Sequence, residues 1–65
     1  MSDIKQEIDE TIETLNTWAN NNHYSYSEVN GGYRLLINEQ ATSIIMTGEC
    51  LLKRLNDDLS HYLFD

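Results

Sequence analysis

Hydrophobic side chains in the first third of the chain recur at steps of three and four residues, which is the spacing of one helical face. The pattern predicts a helix over residues 3–20. Ser2 or Asp3 can cap its start, and the asparagine run at 20–22 is expected to end it, because asparagine competes for backbone hydrogen bonds and accepts left-handed conformations. The apolar positions are Ile4, Ile8, Ile12 (or Thr11), Leu15 and Trp18 or Ala19.

From residue 23 to residue 46 the pattern changes to the two-residue alternation of β-strands. Asn30-Gly31 indicates a tight hairpin, because a type I′ turn needs a positive φ at both central residues. A second turn is expected around Glu39-Gln40, which gives three antiparallel strands. The expected cross-strand pairs are Tyr24–Ile37, Tyr26–Leu35, Ile37–Thr42 and Leu35–Ile44. In that register one face of the sheet carries Tyr24, Tyr26, Tyr33, Leu35, Ile37, Ile44 and Met46.

The last third of the chain returns to the helical pattern, with Thr47 as the expected N-cap. Its expected buried stripe is Leu52, Leu55, Leu59 and Leu63, with Leu51 and Tyr62 beside it, and the expected outer ion pairs are Lys53–Asp57 and Arg54–Asp58. The chain is therefore predicted to be a single α+β domain, residues 1–65, in the order α-β-β-β-α. We expect a three-stranded antiparallel meander with two helices packed on one face. The expected core includes Trp18, Tyr24, Leu35, Ile44, Leu55 and Leu59.

Composition limits how such a small domain can be stabilised, because 65 residues build only a marginal core. Cys50 is the only cysteine, and His23 and His61 are the only histidines, so no internal disulfide and no Cys₂His₂ or Cys₄ zinc site can form. We therefore expect no metal and no cofactor. A single free cysteine fits a reducing, cytoplasmic setting.

The net charge separates the possible classes of partner. Eleven acidic residues against four basic residues give a net charge of −7. Nucleic acids and anionic membranes both attract basic proteins, so direct binding to either is disfavoured. The apolar runs are shorter than the ~20 residues of a membrane span, and the N-terminal segment lacks the apolar region of a signal peptide.

The residue types that could carry catalysis do not converge in the predicted fold. Cys50 and His61 lie eleven residues apart on one helix, which is about 16 Å and far beyond hydrogen-bond reach. The glycine-rich segment at 30–32 lacks the lysine and the helix that follow a phosphate-binding loop. The carboxylates fit a solvated helix face better than a glycosidase pair, which needs a sugar cleft. No catalytic residue is predicted, and we expect the protein not to be an enzyme.

Clustered carboxylates are the feature that points to a function. Only Lys5 can neutralise them from within the first helix, chiefly at Asp9, so like-charged neighbours remain. Either the acids only confer solubility, or they imitate the phosphate backbone of DNA and bind a protein with a basic nucleic-acid-binding cleft. The candidate partner-binding residues are Asp3, Glu7, Asp9, Glu10 and Glu13 on the first helix, with Glu28 and Glu39 near the two turns.

The inferred architecture and charge resemble those of small acidic anti-CRISPR proteins, which are encoded by phages and block Cas9 by occupying its PAM-reading cleft. The resemblance covers the size, the acidity and the α-β-β-β-α order, and it includes no shared sequence motif. It implies a non-catalytic inhibitor encoded by a phage or another mobile element. The same description fits phage inhibitors of DNA glycosylases or of nucleoid proteins.

The other face of the predicted sheet offers a second surface. Val29, Leu36 and Ile45 lie there among polar residues, and they are left outside if both helices cover the opposite face. Scattered exposed apolar side chains are usual and need no function, whereas pairing of two such faces would give a symmetric dimer. The alternative interpretation is therefore a homodimeric accessory or regulatory subunit whose acidic face only confers solubility.

Overall fold

The computed structural model describes residues 3–19 and 21–64, and within this part of the chain the protein forms two helices and three strands. The elements are α1 (Ile4–Trp18), β1 (Tyr24–Val29), β2 (Gly32–Ile37), β3 (Gln40–Met46) and α2 (Gly48–Phe64). The strands form one antiparallel sheet in the order β1-β2-β3. The helices pack against each other and against the sheet, so the predicted α+β class and element order are confirmed.

Local capping sets the start of both helices. The Asp3 carboxylate accepts a hydrogen bond from the backbone N–H of Lys5 at 3.1 Å. The Thr47 hydroxyl accepts one from the backbone N–H of Cys50 at 3.2 Å. Both contacts satisfy N–H groups that have no partner inside the helix. The alternative cap Ser2 lies outside the described residues.

The end of α1 differs from the sequence prediction. The helix ends at Trp18, and the N–H of Ala19 still bonds to the carbonyl of Leu15 at 2.7 Å; Asn20 lies outside the described residues. Ala19 is buried whereas Trp18 is 55% exposed, so the expectation of Trp18 in the core is wrong. Position 19 follows Leu15 by one turn on the same helical face, so the short alanine takes the inward position and leaves the indole outside.

The first hairpin has the predicted geometry. Asn30 and Gly31 have φ values of 47° and 79°, as a type I′ turn requires. The register pairs Tyr24 with Ile37 and Tyr26 with Leu35, as expected. Turn chemistry and side-chain alternation agree here, which is why the sequence pattern predicts this register correctly.

The second turn lies one residue earlier than predicted, at Asn38 and Glu39, which have φ values of 56° and 68°. Ile37 consequently pairs with Gln40, and its expected pairing with Thr42 is wrong. Asparagine tolerates this backbone conformation, and the Asn38 side chain also accepts the N–H of His23 at 2.8 Å. Long-range contacts therefore help to place this turn.

A bulge restores the expected register at the far end of β3. The pairing shifts between Arg34 and Leu36, after which Arg34 pairs with Ile45. Leu35 has no aligned partner in β3, so its expected pairing with Ile44 is also wrong. The bulge leaves two buried polar atoms without a hydrogen-bond partner among the described residues, Arg34 Nε and Thr42 Oγ1. One of these atoms belongs to β2 and the other to β3, on the two strands whose pairing the bulge interrupts.

One hydrophobic core joins the two helices to the sheet. The predicted core residues Tyr24, Leu35 and Leu55 are buried, and Leu59 is half-buried against them. Ile44 is 65% exposed, so its expected burial is wrong. Ile44 lies on an edge strand beside the bulge, which interrupts the alternation that would turn its side chain inward. The buried set among the described residues is Ile8, Leu15, Ala19, Tyr24, Leu35, Leu51 and Leu55.

The buried stripe of α2 is rotated from the predicted one. Leu51 is buried, whereas Leu63 is exposed. This rotation follows because α2 packs against α1 as well as against the sheet. On the outer side Arg54 lies 3.2 Å from Asp58, as predicted. The expected Lys53–Asp57 pair is not among the ion pairs of the described residues.

Asn16 fastens α1 to the outer edge of β1. Its side-chain oxygen accepts the Tyr24 N–H at 2.7 Å, and its amide nitrogen donates to the Tyr24 carbonyl at 3.0 Å. These two backbone groups point away from β2, so the amide supplies the contacts that a further strand would make. The contact gives a structural role to this asparagine, which lies outside the apolar stripe of the helix.

Replacement of Asn16 by alanine is expected to lower the free energy of unfolding by about 1–3 kcal/mol, because it leaves two partly buried backbone groups without partners. Urea unfolding followed by circular dichroism measures the change. Thr14→Ala is the matched control, since its exposed hydroxyl bonds only to a carbonyl of its own helix and we expect a change within about 0.5 kcal/mol. Equal changes in the two variants would contradict this role for Asn16.

Candidate functional site

The acids of α1 fall into exposed and partly covered positions. Asp3, Asp9, Glu10 and Glu13 are exposed, and we call these four residues the acidic face. Glu7 is half-buried and takes part in the contacts of the fold. The structure therefore brings most of the predicted helical carboxylates to one solvent-facing surface.

Two of the predicted partner-binding acids make tertiary contacts. Asp9 accepts the hydroxyl of Tyr26 at 2.6 Å. Lys5, which we expected to face Asp9, instead lies 3.6 Å from Glu28 on β1. The expected Lys5–Asp9 pair is replaced because β1 places the Tyr26 phenol and the Glu28 carboxylate beside α1. The single basic residue of α1 is thus directed toward the sheet and away from Glu10 and its neighbours.

The remaining acids are less constrained. Glu10 accepts a hydrogen bond from the Gln6 amide at 3.3 Å. The Glu13 backbone carbonyl accepts the Thr17 hydroxyl at 3.0 Å, but the Glu13 carboxylate has no hydrogen-bond or ion-pair partner among the described residues. Glu39 is exposed in the second turn, at the opposite end of the sheet from Glu28. The structure therefore groups Glu28 with the acidic face through Lys5, and it leaves Glu39 apart.

The Tyr26–Asp9 contact changes the acidity of the phenol. The hydrogen bond to Asp9, together with burial and the nearby negative charge, raises the pKa of Tyr26 to about 12. A phenolate opposite a carboxylate would be repelled, so the folded protein holds the proton more strongly than the unfolded chain does. Sequence reasoning missed this contact, because the two residues are seventeen positions apart on different elements.

We expect stability to fall as the pH rises from about 10 to about 12, because the unfolded tyrosines lose their protons near 10 while Tyr26 keeps its proton to a higher pH in the folded state. Below pH 10 this contribution is fully present. Urea unfolding at a series of pH values, with phenolate absorbance as the second signal, measures it. Asp9→Asn should lower the pKa of Tyr26, whereas Glu13→Gln is the control that should not move it. A Tyr26 that titrates normally in the folded wild type would refute the contact.

A second polar cluster joins β1 to α2. The Tyr24 hydroxyl donates to Asp58 at 3.1 Å, and Arg54 lies 3.2 Å from the same carboxylate. Burial, followed by a hydrogen bond with Tyr62 and the charge of Asp58, raises the pKa of Tyr24 above its ordinary value. The cluster borders a shallow cavity of about 220 Å³ that His61 also lines. Its phenol, carboxylate and guanidinium satisfy one another, so the arrangement stabilises the packing of α2 on the sheet.

The structure does not bring the candidate reactive groups together. Cys50 and His61 are both exposed on α2. Within the described residues, no group of three or more His, Cys, Asp or Glu side chains is placed to hold a metal ion. In the same part of the chain, neither helix has the length and apolar character needed to cross a membrane.

The predicted dimer residues lie on the face of the sheet opposite the helices. Val29 and Leu36 are half-buried, and Ile45 is 45% exposed. Ile45 lies across Gly32, where an added Cβ would come within 2.7 Å of Ile45 Cγ2. The missing side chain at Gly32 therefore leaves room for the Ile45 side chain. Trp18 is a further exposed apolar residue, at the last position of α1.

Comparison with protein-family models, with curated proteins and with solved structures finds no match for the chain.

Proposed function

We propose that this protein is a small acidic binding protein that occludes a basic nucleic-acid-binding surface of a partner protein. The observation that carries the proposal is the acidic face on α1, whose four residues are exposed while Lys5 is directed to Glu28. The partner would supply the lysine and arginine side chains that otherwise contact phosphates. Binding by this mechanism requires neither a catalytic group nor a cofactor.

The number of carboxylates per unit length of the acidic face supports mimicry of a nucleic-acid strand. From Asp3 to Glu13 the helix rises about 15 Å at 1.5 Å per residue. One strand of DNA presents a phosphate about every 3.4 Å, so the same length holds about four phosphates. The acidic face holds four carboxylates over that length. A cleft that binds one strand of a duplex would therefore find about as many negative charges per unit length on this helix as on the DNA strand.

Exposed Trp18 supplies an anchor at the end of the same helix. It lies five residues beyond Glu13, which is about 7.5 Å along the axis. Tryptophan is enriched among the residues that dominate binding energy at protein interfaces. In the proposed complex the carboxylates steer association, and the indole is buried against the partner.

Size, acidity and element order support a role as an inhibitor encoded by a phage or another mobile element, similar to the small acidic anti-CRISPR proteins. Such an inhibitor would act in the cytoplasm of a bacterial host, where its target meets DNA. The free, exposed thiol of Cys50 is compatible with that reducing setting. Under this proposal the target is a protein that binds nucleic acid through a basic cleft.

The proposal is tested by capture from a nuclease-treated bacterial lysate on the immobilised protein. We expect a nucleic-acid-binding protein to be retained at low salt, to be released as salt rises, and to be displaced by added duplex DNA. Displacement by DNA is the decisive observation, because an acidic resin also retains basic proteins. A captured protein that stays bound to the immobilised protein in the presence of excess DNA would contradict occlusion of its DNA-binding surface.

A second candidate function is a homodimeric accessory or regulatory subunit whose acids only confer solubility. The exposure of Ile45 on the outer sheet face favours it. Under this alternative, Ile45→Asp would dissociate the oligomer, whereas charge reversal on the acidic face would leave every interaction unchanged.

A further inference from the structure

The two edges of the sheet are protected to different degrees. At the β1 edge, Asn16 occupies the outward N–H and carbonyl of Tyr24, and Tyr26 bonds to Asp9 of the adjacent helix. A further strand is therefore kept off this side. No comparable side-chain clamp on β3 is present within the described residues.

The register shows which backbone groups of β3 point outward. A two-residue turn is closed by a hydrogen-bonded pair, so Val29–Gly32 and Ile37–Gln40 are such pairs. Successive residues of β2 then form their backbone hydrogen bonds alternately with β1 and with β3. Tyr33 is one of those that bond to β3, at its partner Met46. The N–H and carbonyl of Ile45, one residue earlier, consequently point away from β2. These are the groups through which a sheet accepts another strand.

The side chains along this edge supply no charge or proline against pairing, so the bulge between Ala41 and Ile45 is the protection that β3 retains among the described residues. Native edge strands carry charges or proline that prevent association, but the segment from Gln40 to Gly48 contains neither. Ile44 and Ile45 are adjacent and both exposed on this strand. β-Branched residues in an uncharged strand favour pairing with another strand.

The charge distribution allows a second copy of this chain to supply the added strand. Each copy carries −7 overall, but the acidic face lies beside β1, at the opposite edge of the sheet from β3. Strands are about 4.8 Å apart, so edge-to-edge pairing keeps the two acidic faces well beyond the Debye length of about 8 Å. An antiparallel pairing about a twofold axis is also self-complementary, since uncharged β3 meets uncharged β3.

We infer that two copies of this chain associate through β3, joining their sheets edge to edge into one continuous antiparallel sheet. The association supplies the additional support that a small domain with a bulged edge strand needs. It differs from pairing of the outer sheet faces, because it uses backbone groups of β3 and not Val29 or Leu36. It also leaves both acidic faces free at the two ends of the dimer, so the inference is independent of the proposed binding function.

Sedimentation equilibrium on the purified full chain tests the inference. We expect a monomer–dimer equilibrium for the wild type. Ile44→Lys should raise the dimer dissociation constant by at least about tenfold, because a charge at the edge opposes strand pairing. Ile45→Pro should do the same by removing the outward N–H, which β2 does not use. Ile44 is exposed, so its variant should keep the wild-type circular dichroism spectrum even if the proline variant loses stability.

Leu36→Lys is the control that separates the edge from the outer sheet face. We expect this variant to dimerise like the wild type. A wild type that stays monomeric across the accessible concentration range would overturn the inference. Loss of the dimer in Leu36→Lys with retention in Ile44→Lys would also overturn it, in favour of pairing through the sheet faces.

Discussion

Replacement of Leu35 by alanine is expected to lower the free energy of unfolding by about 2–5 kcal/mol. Leu35 is fully buried in β2, in the core cluster that also contains Leu15 of α1 and Leu55 of α2. Domains have roughly 0.05–0.15 kcal/mol of stability per residue, so a chain of this length has little reserve. The variant should therefore be largely unfolded at 37 °C, as circular dichroism and urea unfolding can measure.

Ile44→Ala is the matched control for Leu35→Ala. The alternation of the sequence predicts that Ile44 and Leu35 both lie on the inner face of the sheet. In the structure Leu35 is buried and Ile44 is exposed. At protein concentrations low enough to keep the chain monomeric, we expect Ile44→Ala to change stability by less than about 1 kcal/mol. Comparable losses in the two variants would mean that β3 has the unbulged register.

Reversal of two charges on the acidic face is expected to have the largest effect on partner binding. Glu10→Lys combined with Glu13→Lys should weaken binding by about 100-fold or more, because close charge pairs at interfaces contribute up to several kcal/mol each. The same reversals turn the repulsive Glu7–Glu10 and Asp9–Glu13 neighbours into opposite-charge pairs, which outweigh the like-charge pair that remains between positions 10 and 13, so the variant should fold at least as well as the wild type. Titration calorimetry with the partner obtained by DNA-displaceable capture measures the affinity, and urea unfolding measures the stability.

The control for this experiment carries the same change in net charge elsewhere. Glu49 and Asp57 are exposed acids of α2. Each reversal adds two charges, so either double variant carries −3 in place of −7. We expect Glu49→Lys with Asp57→Lys to retain most of the affinity, because only the acidic face contacts the partner. Equal weakening by both double variants would show that net charge alone drives the binding.

Short-range signals explain what could be predicted of the fold. The hairpin at Asn30-Gly31 and the cap at Thr47 depend on neighbouring residues, and both were predicted correctly. The second turn was misplaced because Asn38 is also held by contacts with the chain near His23, which lie outside any local pattern. The bulge and the exposure of Ile44 follow from that turn. Local chemistry therefore predicted the elements, and long-range contacts decided the register of β3.

The candidate site could be predicted only in part for the same reason. Helical periodicity correctly indicated that Glu10 and Glu13 are exposed on α1. It could not show that Lys5 turns to Glu28 or that Asp9 takes the phenol of Tyr26, because those contacts need the sheet beside the helix. Nor did it identify Trp18 as an exposed side chain.

Displacement of labelled duplex DNA from the captured partner tests the central claim most directly. Fluorescence anisotropy reports the bound DNA while wild-type protein, Glu10→Lys with Glu13→Lys, or Glu49→Lys with Asp57→Lys is added. Occlusion by the acidic face predicts that the wild type and the α2 variant release the DNA competitively, and that the acidic-face variant does not. Formation of a ternary complex with the DNA still bound, or equal release by all three proteins, would contradict the account.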